Sequence, residues 1–349
     1  MILSAFLLLC CAVATWTVSP AKGRQSQIES PSSEDHLAYG TLDQVKADLQ
    51  RVGLESSNLI IGVDFTRSNE WTGKRCFGGR SLHHLGAVPN PYEEAISIVG
   101  ETLSAYDEDN DIPCFGFGDM STHDQGVFSF YGDVRPCAGI PEALLRYREI
   151  TATVQLSGPT SLAPIIEAAM GVVQRSGHQY HILLIIADGQ VPRGCGAHRA
   201  SSLDESRSEN DMEERTLQAL IHASHFPLSI VLVGVGDGPW DDDQMPFHDG
   251  RRRFDNFQFV DFTKIMSTEM SRAEKEERFA LEALEKIPSQ YAAIVSQRIS
   301  PFSVIWLRGR LQGGLFLLHP EQPVRRRFCC TVRFMIWSQS HCWRMKLPF

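Results

Sequence analysis

The chain has 349 residues, of which 43% are hydrophobic and 21% charged, as in a soluble globular protein of one large or two smaller domains. Its formal net charge is −9, and because the segment after Pro301 holds eight Lys/Arg and one Glu, the chain before it carries −16. This acidic body argues against nucleic-acid binding as the primary role, and no apolar run is long enough to span a membrane.

The first 23 residues resemble a secretory signal peptide, because Ile2–Val13 is an apolar run followed by small residues. The segment before that run has no Lys or Arg, and a mis-assigned start codon is the alternative. Residues 24–40 are polar and are predicted to be a linker. The nine cysteines include Cys76, Cys114, Cys137 and Cys195 scattered singly, which is typical of free thiols in an intracellular protein.

Between residues 41 and 292, apolar strands alternate with amphipathic helices. The predicted strands are Asn58–Asp64, Ile112–Gly118, Gly126–Phe130, Tyr180–Ala187, Leu228–Val235 and Phe257–Phe262. The predicted helices are Thr41–Val52, Pro91–Tyr106, Gly139–Val154, Leu162–Val173, Thr216–His225 and Ser271–Glu285, and Cys195–Glu214 is predicted to be a polar loop. This alternation predicts an α/β fold, a doubly wound and mostly parallel sheet flanked by helices.

A polar motif follows the first of these strands, in the stretch LIIGVDFTRS of Leu59–Ser68. Because alternate residues of an extended chain share a face, Asp64, Thr66 and Ser68 are expected to point the same way. One carboxylate and two hydroxyls at the carboxyl end of a strand suit a divalent cation. Ordinary turn chemistry is the alternative reading of the motif. Asp188 ends a second buried strand and Asp237 lies just after a third.

Six blocks occur in order along the chain: VDFTRSNEWTGKRCF, NPYEEAISIVGETLSAYDEDNDIPCFGFGD, SGPTSLAPIIEAAM, PLSIVLVGVGDGPWD, FDNFQFVDFTKIMS and FALEALEKIP. In these blocks the chain resembles a von Willebrand factor A domain of the copine type and, more narrowly, the plant RGLG family of RING ubiquitin ligases, over about residues 36–292. This resemblance implies a Rossmann-like A-domain fold and a metal-ion-dependent adhesion site. The implied metal ligands are Asp64, Thr66, Ser68, Thr160 and Asp188.

The resemblance also implies what this site binds. The expected ion is Mg²⁺, with Mn²⁺ or Ca²⁺ as alternatives, and its open position would accept an acidic residue of a protein substrate or partner. The family function is protein ubiquitination, in the cytoplasm, the nucleus or at the inner plasma membrane. A ubiquitin-conjugating enzyme is expected as a partner if ligase activity is retained, and nucleic acid is not expected.

The segment 293–349 departs from the family pattern. A RING needs eight Cys/His zinc ligands with C-x2-C pairs, whereas this tail has Cys329, Cys330, Cys342, His319 and His341. RING zinc is therefore not expected, and enzymatic activity is left open. A different splice or reading frame explains the basic tail, and a basic-aromatic arm for a membrane surface or nucleic acid is the alternative.

A second class of function is a non-catalytic binding module. It would be a truncated regulator, or a secreted adhesion-like protein if residues 1–23 function as a signal peptide. The family's acylation signal is missing, since position 2 is Ile. Three other features are interpreted as structural. The loop Gly234–Pro239 lacks the third glycine of a dinucleotide site. We interpret His83, His84 and His248 as surface-loop histidines and Asp241–Asp243 as a solvated acidic turn.

Overall fold

The computed structural model describes residues 39–54, 57–103, 106, 109–189, 203–238, 240, 251–297 and 299. The strands are β1 (Asn58–Asp64), β2 (Asp111–Ile112), β3 (Cys114–Phe117), β4 (Phe128–Ser129), β5 (Cys137–Ala138), β6 (His181–Ala187), β7 (Leu228–Gly234) and β8 (Phe257–Asp261). The helices are α1 (Leu42–Arg51), α2 (Pro91–Leu103), α3 (Gly139–Thr151), α4 (Ala163–Arg175), α5 (Leu203–Ala223), α6 (Phe262–Met266), α7 (Arg272–Leu284) and α8 (Ile287–Ser296), with a 3₁₀ helix at Arg67–Glu70.

The main sheet has six strands in the order β4-β3-β1-β6-β7-β8. All neighbouring strands in it are parallel except β3 and β4, which are antiparallel. The central strands β6 and β7 are buried along their whole length, as their near-continuous apolar sequences require when both faces are covered. The predicted doubly wound, mostly parallel α/β sheet is confirmed.

Helices cover both faces of the sheet, so alternate residues of each strand enter different core layers. In β1, Ile61 and Val63 pack in the layer that contains the buried side chains of α1, α2, α3, α7 and α8. Ile60, which precedes them, packs with α4 and α5 on the other face. Helix α4 crosses β1 closely, since a Cβ atom on Gly62 would lie 2.6 Å from Cγ1 of Ile165. A side chain at Gly62 would force this helix away from the sheet.

The polar loop predicted at Cys195–Glu214 is wrong over its second half, because α5 begins at Leu203 and continues to Ala223. Glu, Arg and Met favour helix intrinsically, so this stretch is helical although few of its residues are apolar. Of its residues from Asp211 onward, Met212 and Thr216 are buried while Glu214 and Arg215 are exposed. The apolar period of this stretch is weak because only a narrow face of the helix contacts the core.

The single strand predicted at Ile112–Gly118 is divided into β2 and β3, and β5, α6 and α8 are elements that the sequence pattern did not indicate. β2 and β5 form a separate two-stranded antiparallel sheet, in which Ile112 pairs with Cys137. Helix α6 is one turn long and α8 extends from Ile287 to Ser296. Strands of two residues and helices of one turn are too short to show an apolar period.

The predictions for residues 1–23 and for most of 24–40 lie outside the described residues, and so do Asp241–Asp243, His248 and the tail from residue 300 with Cys329, Cys330 and Cys342. Within the described part, no helix is long and apolar enough to cross a membrane.

Candidate metal centre

The centre is built on the turn that follows β1. Asp64 is the last residue of the strand and is fully buried. Its Oδ1 accepts a hydrogen bond of 2.8 Å from the backbone N–H of Thr66, and the side-chain amide of Asn69 donates to the carbonyl of Thr66 at 3.0 Å. These bonds hold Thr66 and Ser68 in the geometry that leads into the 3₁₀ helix.

Three side-chain hydroxyls converge beside this turn. Oγ1 of Thr66 lies 3.0 Å from Oγ of Ser68 and 3.4 Å from Oγ1 of Thr160. Ser68 donates a hydrogen bond of 2.9 Å to Oδ1 of Asp188, which follows β6 at the same edge of the sheet. The structure therefore brings all five predicted ligands together. Adjacent oxygens around an octahedral Mg²⁺ lie about 3 Å apart, since each Mg–O bond is about 2.1 Å, and the hydroxyl spacings are compatible with this.

The loops after β3 and before α4 support the hydroxyls from the side. Thr66 forms a parallel bridge with Ser157, and the N–H of Arg67 donates to the carbonyl of Ser157. Gly118 has φ of +79°, and a Cβ there would lie 2.4 Å from Cγ2 of Thr66. Glycine is thus required both by the backbone conformation and by the close approach.

The two carboxylates of the centre carry unbalanced charge. Burial raises the pKa of Asp64 well above its ordinary value, and repulsion from Asp188 raises it further. Burial also raises the pKa of Asp188, although hydroxyls donated by Thr72 and Ser68 oppose the shift. Oδ2 of Asp64 is buried and accepts no hydrogen bond from the described residues. A cation beside these carboxylates would balance their negative charge and would give Oδ2 of Asp64 a partner. The residues present therefore fit a divalent ion.

The donor set is dominated by hydroxyls. No group of three or more His, Cys, Asp or Glu side chains within the described ranges could hold a metal ion. The centre instead combines two carboxylates with the neutral oxygens of Thr66, Ser68 and Thr160. The three hydroxyl ligands neutralise none of the charge of a bound divalent cation, so its open position stays attractive to a further carboxylate.

Sequence reasoning missed Thr72. Its Oγ1 donates a hydrogen bond of 2.7 Å to Oδ2 of Asp188 and lies 3.1 Å from the carbonyl oxygen of Ser68. Each oxygen of the Asp188 carboxylate is thereby fixed by a hydroxyl from the loop after β1. The available signal was the position of Thr72 four residues after Ser68, which is one helical turn.

The assignment of His83 to the surface is wrong, because this side chain is buried while His84 is exposed. Nε2 of His83 lies 2.9 Å from the carbonyl oxygen of Asp64, and Nδ1 lies 2.8 Å from the hydroxyl of Tyr147. Since the carbonyl can only accept, Nε2 carries the proton and Tyr147 donates to Nδ1. Burial lowers the pKa of His83 to about 3. His83 is thus a neutral side chain that joins the Asp64 carbonyl to Tyr147 beneath the turn.

Asp237, which follows β7, does not join the centre. Its carboxylate accepts the backbone N–H groups of Arg75 at 2.8 Å and Cys76 at 2.9 Å. These bonds anchor the long loop after the 3₁₀ helix to the segment that follows β7. The third carboxylate at this sheet edge therefore positions a loop.

Comparison with known proteins gives a consistent assignment. The family model described as Copine matches residues 81–301. The chain is 56% identical over 278 residues to E3 ubiquitin-protein ligase RGLG5 of Arabidopsis thaliana, covering 78% of this chain and 62% of RGLG5. It is 54% identical over 272 residues to RGLG3 of the same plant, covering 76% of this chain and 71% of RGLG3. The chain thus spans less than two thirds of the length of RGLG5.

Among solved structures, a von Willebrand factor type A protein from Catenulispora acidiphila aligns with a TM-score of 0.39 at 13% identity, covering 65% of this chain and 43% of that one.

Proposed function

The chain belongs to the copine family, in the branch with the RGLG ubiquitin ligases, and from this membership we propose that its α/β domain binds protein partners of ubiquitination through a divalent metal ion. The observation that carries the proposal is the convergence of the hydroxyls of Thr66, Ser68 and Thr160 beside the unpartnered Oδ2 of Asp64.

In this proposal Thr66, Ser68 and Thr160 hold the ion directly, and Asp64 and Asp188 hold it directly or through water. The ion is Mg²⁺, with Mn²⁺ or Ca²⁺ as alternatives. When bound, it supplies a positively charged site for one carboxylate of a partner. Thr72 and His83 keep the ligands in place through Asp188 and the Asp64 carbonyl.

The charge of the loop after β1 supports an acidic partner. Residues 66–82 contain four Lys/Arg and one Glu, although the chain as a whole is acidic. Arg75 is strongly exposed, with 83% of its side chain accessible. Trp71, 48% exposed, and Met120, 54% exposed, offer apolar surface on the loops next to Thr66 and Ser68. A partner segment that combines a carboxylate with apolar neighbours would match this surface.

A matched pair of variants tests the proposal. Full-length protein is immobilised and incubated with plant extract in Mg²⁺ or in chelator, and bound proteins are quantified by mass spectrometry. We expect a set of partners that is lost in chelator and lost with Asp64→Ala in Mg²⁺. Asp43→Asn, an exposed acid at the start of α1, is the control and should retain it. Partners that bind equally in chelator would contradict metal-dependent binding.

Ubiquitin transfer by this chain is a separate question, because the RING ligands expected of the family are not recognised in the sequence. The alternative is a non-catalytic module that competes with longer relatives for the same partners, or a secreted adhesion-like protein. An autoubiquitination assay with activating and conjugating enzymes decides between ligase and module. Ubiquitin chains on the protein support the ligase, whereas their absence from folded, Mg²⁺-binding protein supports the module.

Location separates the remaining alternatives. We propose the cytoplasm, the nucleus or the inner plasma membrane. A carboxyl-terminal fluorescent fusion found in the secretory pathway would instead support the adhesion-like protein.

A further inference from the structure

A groove of about 590 Å³ lies along the outer edge of β8, the last strand of the main sheet. It is lined by residues of β8 and of the segment before it, and by α6, the turn after α6, and α7 with the two residues that follow it. A volume of this size is typical of ligand-binding pockets. The proposed metal ligands do not line this groove, so it is a second candidate site.

The outer edge of β8 is open to a further strand. The backbone N–H of Ile230 in β7 donates to the carbonyl of Asn256 at 2.8 Å. Because the backbone groups of successive strand residues point to alternate sides, those of Gln258 also face β7, whereas the N–H and C=O of Phe259 face away from it. No described strand pairs with this outer side.

The sequence of β8 also lacks the devices that protect sheet edges. Natural edge strands carry Lys, Pro or bulges that prevent pairing with another chain. β8 has the sequence FQFVD, which contains neither Lys nor Pro, and its register with β7 is unbroken from Phe257 to Asp261. A regular edge with two aromatic residues is therefore a template for an added strand.

The two ends of the groove differ in chemistry. Ile265 and Met270 line it near the carboxyl end of β8, and 38% of Met270 is exposed. Arg252, Asp255 and Lys286 line it near the amino end. An apolar side chain of a ligand would find contacts at the first end, whereas the second end presents a cluster of ionic groups.

Two cations share one carboxylate at the amino end of the groove. Nη1 of Arg252 lies 2.8 Å from Oδ1 of Asp255, and Nζ of Lys286 lies 3.5 Å from Oδ2 of the same side chain. The side chain of Arg252 is only 5% exposed, and its Nε has no hydrogen-bond partner in the part of the chain that the structure describes. A buried guanidinium with an unused donor favours an anionic ligand.

The other charged groups that line the groove are already engaged. Glu282 forms an ion pair with Arg278, and Oδ1 of Asp261 accepts the backbone N–H of Lys264 at 2.8 Å. The side chains of Lys264 and Glu285 have interaction partners as well. The amino end therefore keeps an excess positive charge, which one further carboxylate would balance.

We propose that this groove binds an extended segment of a partner protein, which adds to β8 as a seventh strand of the main sheet. The segment runs antiparallel to β8, the more stable pairing, and exchanges backbone hydrogen bonds with Phe259. One of its apolar side chains contacts Met270, and an Asp or Glu further along binds Arg252 and Lys286. The interaction does not depend on a metal ion.

The length of β8 sets the spacing of the two contacts. At about 3.3 Å per residue, its five residues place the two ends of the strand about 13 Å apart. An added strand advances at the same rate, so its apolar and acidic residues are about four positions apart, and side chains four positions apart lie on the same face. Ile265 packs in the core layer on the side of α7, and Lys286 follows α7, so the two contacts also lie on one face of the sheet.

The test uses full-length protein in chelator, which prevents acidic peptides from binding through a metal ion. The probe is a library of random heptapeptides that are acetylated and amidated, so that they carry no terminal charge, and bound peptides are identified by mass spectrometry. We expect enrichment of peptides with an apolar residue about four positions before an Asp or Glu. No enrichment over a column without protein, or enriched peptides without an acidic residue, would overturn the proposal.

A variant and a matched control test the charged end. Lys286→Gln should weaken binding of the most enriched peptide about tenfold in fluorescence anisotropy. The backbone N–H of Lys286, which donates to Oε1 of Gln258 at 3.2 Å, is unchanged by this substitution. Arg175→Gln, which removes an exposed Arg at the end of α4, is the control and should bind like the wild type.

A double-mutant cycle then locates the acidic residue of the peptide. Replacing that residue by its amide should weaken binding to the wild type about tenfold and binding to Lys286→Gln by a smaller factor. An equal loss in both proteins would show that the acidic residue binds elsewhere, and would refute the assigned contact.

Backbone N-methylation tests the added strand. An N-methyl group blocks one hydrogen bond, and in an antiparallel strand only every second residue bonds to β8. We expect N-methyl scanning of the enriched peptide to weaken binding at alternate positions, whereas equal tolerance at all positions would refute strand addition. A protein that sediments as a dimer and separates into monomers when the peptide is added would assign the groove to a second copy of the chain, and would overturn a partner segment as its occupant.

Discussion

Replacing Asp64 by Asn separates the destabilisation caused by two buried carboxylates from the stabilisation that a bound metal ion supplies. The substitution keeps the shape of the side chain and its acceptor for the Thr66 N–H but removes one of two neighbouring negative charges. In chelator, the loss of repulsion with Asp188 should leave the unfolding temperature equal to or above that of the wild type. In Mg²⁺, the variant should lose the stabilisation that ion binding supplies.

The magnitude follows from linkage. An ion present at about 100 times its dissociation constant stabilises the folded state by about 2.7 kcal/mol. In a domain of this size that corresponds to a rise of roughly 5–11 °C in unfolding temperature. Thermal unfolding of full-length protein, followed by calorimetry with and without Mg²⁺, measures this shift, with Asp43→Asn as the control. An Asp64→Asn protein that keeps the full Mg²⁺-induced shift would refute the assignment of Asp64 to the metal centre.

Three further predictions concern the support of the centre. Gly118→Ala, at positive φ and against Thr66, should lower the free energy of unfolding by about 1–3 kcal/mol in urea titrations. Thr72→Val should weaken Mg²⁺ binding by about tenfold in calorimetric titration, because Asp188 loses a hydrogen bond, and Thr72→Ser should restore it. Because the pKa of His83 is lowered to about 3 from its ordinary 6.5, the unfolded state takes up the proton first as pH falls. The stability that neutral His83 contributes is therefore fully present above pH 6.5, and about 2.7 kcal/mol of it is lost at pH 4.5. This loss should be absent from His83→Gln.

Each of these has a contrary outcome. Unchanged urea midpoints for Gly118→Ala would mean that the backbone there relaxes without cost. Equal Mg²⁺ affinity in Thr72→Val and wild type would remove Thr72 from the centre. A His83→Gln protein with the same loss of stability between pH 6.5 and 4.5 as the wild type would show that the acid sensitivity arises at other groups.

The sequence patterns predicted the parts of the fold where burial is continuous. The bounds of β1 match the prediction, because the apolar run NLIIGVD is interrupted sharply by the polar turn at Asp64. The alternation of such runs with amphipathic helices sufficed for the doubly wound sheet. The start of the helix at Leu203 was missed because few residues of this stretch are apolar, and β5 because two residues carry no period.

The candidate site was predictable where family motifs supplied residues and not where tertiary contacts did. Thr160 and Asp188 lie far from Asp64 in sequence and meet it because parallel strands end at one edge of the sheet. Thr72 and His83 match no motif. Their roles depend on the path of the loop after β1, which returns His83 beneath Asp64 to meet Tyr147 from α3. Histidine in a polar stretch gave no signal of burial.

The most direct test of the metal-binding account is to locate the ion itself. Crystals of the full-length protein grown in saturating Mn²⁺ would be measured at the manganese absorption edge. The account predicts an anomalous peak coordinated by the hydroxyls of Thr66, Ser68 and Thr160, beside Asp64 and Asp188. A crystal that shows no peak there, or a peak at another place in the domain, would contradict it.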